Sequence, residues 1–358
     1  MRELSKSRTP RTAGLDLGDR FCTLCVLGEE GEVVERERLA TTRQDLSRRF
    51  EGKAKLRVAL EAGTHSNWIS HSLECWGHEV IVANPRKVHW IFKNTKKCDR
   101  VDAESLARLA RADVELLSPI RHRGAEVQAH RSVLSSRDAL VRSRTALINH
   151  VRGVVKALGE RLPSCSSAAF VHKAMPHVPE AVGQVLAPLV GVLEILNEQI
   201  REYDRQVERL SEQTYPETKH LRQVNGVGPL AALAYVLTLE TTSRFTKSRS
   251  VGPYLGLSPR SDQSGDREAQ LGISKCGDAL LRRLLVSSAH YILGPFARDS
   301  DLRRFGLALA QRGGRAAKKR AVVAVARKLA VLLHSLWRTA QTYDPLRHAN
   351  LQIAKASG

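Results

Sequence analysis

The sequence predicts an α/β domain joined to a long, mostly helical region, and three observations carry that expectation. Residues 13 to 40 alternate apolar and polar side chains in three short runs. The text from there to Asp113 switches repeatedly between helical and strand periodicity. From Gln128 onward the apolar spacing becomes helical almost throughout.

The three opening runs are "AGLDLG", "FCTLCVLG" and "EVVERERLA", with the turn "EEGE" joining the second to the third. A helix "RQDLSRRFEG" follows, then a strand "LRVALEAG", a helix "HSNWISHSLECWG", a strand "HEVIVANP" and helical text through Asp113. Three meandering strands followed by alternating helix and strand describe an α/β domain of the ribonuclease-H-like type. From Gln128 to Leu158 one helix carries a seam of Val133, Leu140, Leu147, Val151, Val154 and Leu158. After the break "RLPSCSS", a second seam runs Leu186, Leu189, Leu193, Leu196, Ile200, Tyr203, Val207, Leu210. Its alternating threes and fours are the heptad pattern of a coiled coil, compatible with a hairpin in one chain or a zipper between two.

From about Tyr215 a third region begins. In "VNGVGPLAALAYVLTL", Gly226 and Gly228 stand before Pro229 and an alanine-rich helix. That pattern suits a helix-hairpin-helix whose backbone N–H groups approach a phosphate. The tail from Arg312 carries Arg315, Lys318, Lys319, Arg320, Arg327 and Lys328 against a single acid, Asp344, a basic stripe with an apolar back. The expected division is 1–125 α/β, 126–214 coiled coil, 215–295 a further, mostly helical domain and 296–358 basic and helical.

Composition bounds the function. The 358 residues hold 57 Lys and Arg against 37 Asp and Glu, a net charge of +20, which implies a polyanionic partner and most directly nucleic acid. At 42% hydrophobic residues the chain builds a core. The six cysteines show no framework spacing. Cys22 and Cys25 form a C-x-x-C on a strand, where positions three apart face opposite sides, so a metal clip or redox pair is not expected. A reduced, cytosolic setting follows. The first residues lack the apolar segment of a signal peptide. The stretch "AVVAVARKLAVLLHSLW" is interrupted by Arg327 and Lys328 and falls short of a membrane span, so no membrane partner is expected.

Four acids stand out. Asp16 lies in "GLDLGDR", Glu61 in "VALEAG", and Asp99 and Asp102 in "KKCDRVDAESLARLARA", each at a strand end or helix start. Singly, each reads as a helix cap or a surface acid. Together, four hard oxygen donors suit Mg²⁺ or Mn²⁺, and two such ions clamp the attacking and leaving oxygens of an in-line phosphoryl transfer. Lys96 and Lys97 are then candidates to hold the phosphate backbone of the substrate. Actin-like ATPases and sugar kinases open with a similar glycine turn, but the second phosphate loop and adenosine motif they need are not found in this sequence.

"GLDLG", "ALEAGTHSNW" and "NTKKCDRVDAESLARLA" resemble the Asp, Glu, Asp, Asp series of RuvC-like insertion-sequence transposases, the family numbered one hundred and ten. The second half, with "YLGLSPR", "QSG", "GISKCGD" and "LRRLL", resembles that family's C-terminal domain, and the likeness spans roughly residues 12 to 290. The resemblance implies a DNA recombinase with Asp16, Glu61, Asp99 and Asp102 as catalytic metal ligands. It places the family's serine nucleophile on Ser264, attacking a phosphodiester to give a phosphoserine. It also implies donor and target DNA selected by a structured bridge RNA, and work as a homo-oligomer, dimer or tetramer. Asp19 departs from the lysine common at that position. By its own context Ser264 sits in a polar loop where Ser-Gly usually marks a turn, with Ser261 and Ser274 as rivals. Lys275, Arg282 and Arg283 are candidate phosphate contacts. Aromatics at 5% argue against base stacking as the main recognition mode. The competing readings are a RuvC-like nuclease that uses water and a catalytically inert nucleic-acid-binding protein.

Overall fold

The computed structural model describes residues 11–88, 99–264 and 267–347; for 261–264, 267–270 and 315 only the backbone is described. The chain divides into two compact units, Met1–Gly124 and Ala125–Gly358.

The first unit holds strands β1 (Thr12–Leu17), β2 (Phe21–Leu27), β3 (Val33–Ala40), β4 (Arg57–Glu61) and β5 (Glu79–Ala83). Its helices are α1 (Arg43–Phe50), α2 (Ser66–Cys75), the short α3 (Pro85–Val88) and α4 (Asp99–Ala112). The sheet order is β3-β2-β1-β4-β5. β2 runs antiparallel to β1 and β3, while β4 is parallel to β1 and β5 to β4. This mixed order is compatible with the ribonuclease-H-like expectation. On one face Leu15, Leu24, Val58 and Leu60 pack with Leu46 and Phe50 of α1 and Ile69 and Leu73 of α2. On the other, Ala59 and Ala83 lie under Leu106 and Ala110 of α4, and Cys25 and Leu27 under Ala103 and Ala107. Both faces are therefore covered, as strands that read as near-continuous apolar runs require. Cys22 and Cys25 fall in different clusters, on opposite faces, and both are free. Burial pushes the Cys22 thiol up to about 11.

The second unit starts with α5 (Ala125–Ala157), the short α6 (Phe170–Ala174) and α7 (Glu180–Arg209). α5 and α7 form an antiparallel hairpin within one chain. Arg137 pairs with Asp204 at 2.6 Å, Arg144 donates to Asn197 Oδ1 at 2.8 Å, and Val155 shares a cluster with Leu186. Leu186, Leu193, Ile200 and Val207 of the expected α7 seam are buried. On α5 the buried residues are Leu134, Ile148, Val151 and Val155; of the expected seam Val151 is fully buried, while Val133, Leu140, Leu147 and Val154 are half-buried. The contact stripe is wider than one line, and at Val133, Leu147 and Val154 the next residue takes the deeper place. Leu158 lies past the end of α5 and is 49% exposed. Among the described residues, Glu180–Thr214 is the one helical stretch long and apolar enough to cross a membrane; its seam residues are buried against α5, while Val185, Val192 and Ile195 are exposed.

The remaining helices are α8 (Thr218–Arg222), α9 (Pro229–Leu239), α10 (Val251–Tyr254), α11 (Ala279–Leu293), α12 (Asp301–Ala310) and α13 (Gly314–Thr339). Every residue of α9 from Ala231 to Leu239 is buried. Its small side chains let Leu281 and Leu285 of α11 and Val325, Leu329 and Leu333 of α13 close around it. Tyr235, also in α9, donates its hydroxyl to Ala330 O at 2.5 Å, satisfying the one polar atom that burial would strand. A two-stranded antiparallel hairpin interrupts the helices: β6 (Pro259–Ser264) and β7 (Arg267–Ile273).

Candidate catalytic edge

Strand register sets the first two acids. β1 and β4 run parallel with Gly14 opposite Ala59 and Leu15 opposite Leu60, so Asp16 and Glu61 follow side by side on the face shared by Gly14 and Ala59. α4 covers that face so closely that a Cβ on Gly14 would lie 1.9 Å from Ala103 O. At its C-terminal end, Arg111 donates to Glu29 O at 2.5 Å and Arg108 to Gly31 O at 3.3 Å, both in the β2–β3 turn. Arg57, at the start of β4, reaches Ala110 O at 3.5 Å. The helix therefore runs antiparallel to β1, and its first turn, bearing Asp99 and Asp102, lies toward the carboxyl ends of β1 and β4. From Gly14 to Asp16 is about 7 Å of strand, and from Ala103 back to Asp99 about 6 Å of helix, so both advance similarly toward one edge. Open α/β sheets build ligand sites at such an edge.

Asp16, Glu61 and Asp102 are half-buried and Asp99 is exposed. Among the described residues, no group of three or more His, Cys, Asp or Glu side chains is arranged to hold a metal ion. The topology collects the acids at one edge without closing them into a coordination shell. As a donor set, carboxylates alone fit Mg²⁺ or Mn²⁺ better than a softer ion.

A neighbouring cluster escaped the sequence reading. His65 Nε2 lies 3.4 Å from Asp19 Oδ1, and its Nδ1 is 3.2 Å from Trp68 Nε1, over whose ring Arg43 sits at 5.1 Å. An indole N–H only donates, so His65 Nδ1 accepts and Nε2 carries the proton directed at Asp19. The i, i+3 spacing of His65 and Trp68 at a helix start was the available signal.

Residues 13–159 match a DEDD transposase family model, and residues 218–305 match the transposase family named IS116/IS110/IS902. The transposase for insertion sequence element IS1111A of Coxiella burnetii is 30% identical over 340 residues, covering 92% of this chain and 90% of that protein. A probable family 20 transposase of Pseudomonas aeruginosa is also 30% identical over 340 residues, 93% and 98% covered. A pilin gene-inverting protein of Moraxella bovis is 24% identical over 306 residues, 82% and 83% covered.

The chain belongs to the IS116/IS110/IS902 family of transposases. Transposases of insertion sequences cut and rejoin DNA, so the basic surplus has its polyanion.

Within this transposase-family chain, Ser264 is the last residue of β6, opposite Arg267, rather than part of a free polar loop. Lys275 is exposed in the turn after β7, with a left-handed backbone at φ 55°. Arg282 donates from one nitrogen to Leu255 O at 3.1 Å and Cys276 O at 2.7 Å, so it holds that turn together. Arg283 pairs with Asp138 at 2.8 Å and keeps that carboxyl below the usual range. Gly226 adopts φ 90°, and a Cβ there would meet Tyr291 Cδ1 at 2.8 Å; packing on α11 explains this glycine. Gly228 precedes α9, is exposed, and has nothing within 4 Å of a built Cβ, so its backbone is open to approach. Lys318, Lys319 and Arg320 are exposed on α13. Lys96 and Lys97 lie outside the described residues, as does the side chain of Arg315.

Proposed function

We propose that this chain is a DNA recombinase of an insertion sequence, with a RuvC-like edge formed by Asp16, Glu61, Asp99 and Asp102 and with Ser264 as nucleophile. The observation that supports it is the parallel β1–β4 register, which sets Asp16 beside Glu61 on the face that the Asp99–Asp102 turn of α4 approaches. When bound, Mg²⁺ or Mn²⁺ would supply Lewis-acid stabilisation of the phosphoryl group. The acids orient the charged centre, and the backbone of the strand ends keeps them together.

Ser264 Oγ attacks phosphorus in line and its proton passes to solvent or a nearby base. The bond to the leaving deoxyribose oxygen breaks, and that oxygen gains a proton. Each phosphodiester lost is replaced by a phosphoserine ester, so resealing onto a different strand needs no high-energy cofactor. Inverting a gene, as the Moraxella relative is named for, requires strands to be cut and rejoined. A bridge RNA that pairs with donor and target would deliver sequence choice to a protein poor in aromatics, and assembly as a homo-oligomer would bring several strands together.

The test is a denaturing gel of the protein incubated with Mg²⁺, labelled DNA and the RNA that co-purifies with it. A covalent protein–DNA band is expected, absent in Ser264→Ala and absent in Asp102→Asn, with nucleic-acid retention within about threefold of wild type. Free cleaved ends with full activity in Ser264→Ala would instead establish a water-using nuclease.

A further inference from the structure

The Asp19–His65–Trp68 cluster takes no part in the proposed reaction, yet it stands at the edge that carries the acids. Asp19 comes three residues after Asp16, in the tight turn closed by Gly18 N donating to Phe21 O at 3.1 Å. His65 comes four residues after Glu61, at the start of α2. The two loops therefore leave neighbouring parallel strands, and the contact between them spans the same carboxyl edge. Asp16 and Glu61 share the face covered by α4. α2 instead packs Ile69 and Leu73 against Leu15 and Leu60 on the opposite face. His65 thus sits where the chain crosses from the acid-bearing strand end to the other side of the sheet.

Its ring is set for donation. Nδ1 is taken by the indole N–H of Trp68 at 3.2 Å, which leaves Nε2–H as a donor of fixed tautomer and direction. The Arg43 guanidinium lies over the same indole at 5.1 Å and brings positive charge beside it. The acceptor that faces Nε2 is a poor structural partner. Asp19 is 94% exposed, its Oδ1 is 3.4 Å away, and an exposed pair of that length adds little to stability. A carboxylate so placed gives way to another anion at small cost. A fixed N–H donor, a nearby cation and a displaceable oxyanion together describe a place for a phosphate.

We propose that His65 Nε2–H, with Arg43 beside it, binds the phosphate adjoining the scissile one as the DNA strand crosses this edge, and that Asp19 occupies the donor until that phosphate displaces it. His65 is then a substrate-binding residue, and Trp68 is the residue that positions it. The proposal rests on the recombinase reading and adds to it a contact outside the four acids and Ser264.

Single-turnover cleavage of labelled DNA by the full chain, with Mg²⁺ and the RNA that co-purifies, tests it over a range of protein concentrations. His65→Ala is expected to raise the half-saturating concentration by about fivefold or more, a larger change than in the rate at saturation. His65→Gln, whose amide N–H reaches the place of Nε2–H, should restore that concentration to within about twofold of wild type. Trp68→Phe keeps an aromatic ring in the packing but removes the indole donor, and should weaken binding in the same direction as His65→Ala. Asp19→Asn should move the other way, lowering the half-saturating concentration about twofold, with no effect once His65 is alanine. A methylphosphonate at one phosphate flanking the cleaved one should erase the difference between His65→Ala and wild type. Melting curves confirm that each variant folds. Weaker binding by both Asp19→Asn and His65→Ala would make the pair structural and overturn the proposal. A His65→Ala defect that persists on every flanking methylphosphonate substrate would overturn it too, and neither result touches the recombinase reading. Wild-type protein that leaves the DNA uncut overturns that reading and this contact with it.

Discussion

Gly14 and Gly272 each sit inside a strand, yet they occupy opposite situations. A Cβ on Gly14 would strike Ala103 O at 1.9 Å and Ala107 N at 2.7 Å, whereas one on Gly272 meets nothing within 4 Å. The first belongs to a five-stranded sheet covered by helices on both faces, the second to a two-stranded hairpin that walls an open groove. Where α4 is seated directly on the β1 backbone, the placement of Asp99 and Asp102 over the strand ends depends on a contact no side chain can share. An isolated hairpin has no such constraint, and two strands alone are only marginally stable. The acids are positioned by packing, whereas Ser264 is carried on an element that must be held by the helices around it.

The sharpest way to break this comparison is Gly14→Leu. Four added carbons have no space without lifting α4 from the sheet, and overpacking against backbone costs more than about 3 kcal/mol. Calorimetry should show the first unit's transition lost or strongly lowered, and strand cleavage should vanish with it. A cooperative transition near wild type would mean that α4 is not seated as described.

The next effect concerns the helical scaffold. Asn197 is buried in the α5–α7 seam and accepts from Arg144 at 2.8 Å. Burial holds the Arg144 guanidinium below its ordinary range, with Arg137 nearby adding to the effect. Asn197→Ala removes the acceptor and strands a partly buried cation, costing about 2 kcal/mol. Denaturant titration should show this as a lower midpoint at unchanged slope, and an unchanged midpoint would show the layer to be solvated.

How much of this was legible in the sequence follows the same physical division. The five strands and their order of appearance were readable, because alternation and turn residues are local signals. So was the α7 seam, whose heptad positions 186, 193, 200 and 207 are buried. The α5 seam was caught at Val151, which is fully buried, but fell one residue short of the buried Leu134, Ile148 and Val155, since a wide contact stripe leaves two equally periodic lines to choose between. Asp16 and Glu61 were visible as acids at strand ends, but their adjacency depends on a parallel pairing that local text does not encode. Arg282 and Arg283 read as free cations, although Arg282 is bonded to two backbone carbonyls and Arg283 to Asp138 across 145 residues of sequence. The Asp19–His65–Trp68 cluster was missed because it bridges two separate loops.

Acid sensitivity tests the scaffold more gently. His334 is fully buried; its Nε2 lies 3.1 Å from Thr242 O and its Nδ1 2.8 Å from Ser248 Oγ, so the neutral ring satisfies both partners. Burial, with the Arg338 charge adding to it, holds its pKa below the ordinary 6.5. In the first unit His122 is shifted the same way, by burial and by His71 and Arg123. A base with a lowered folded pKa takes up its proton more readily when unfolded. The stability tied to these rings is therefore complete above about pH 6.5 and declines as pH falls toward the folded values. Melting temperature followed from pH 7.5 to pH 5 should drop, and His334→Gln should reduce the drop in the second unit's transition alone. Identical acid profiles for the variant and the wild type would remove His334 from the account.

The smallest effect is the counterpart of the largest. Gly272→Ala adds one methyl on the exposed wall of the groove, in a strand where alanine is no worse than glycine for the backbone. The stability of the second unit should stay within about 0.5 kcal/mol of wild type. A loss above that would mean that another backbone lies against β7 at this point, and the hairpin would then be a packed element like β1. Stability unchanged, beside a first unit disabled by Gly14→Leu, would show that one molecule holds a sheet fixed by helix contact and a hairpin left open on one side.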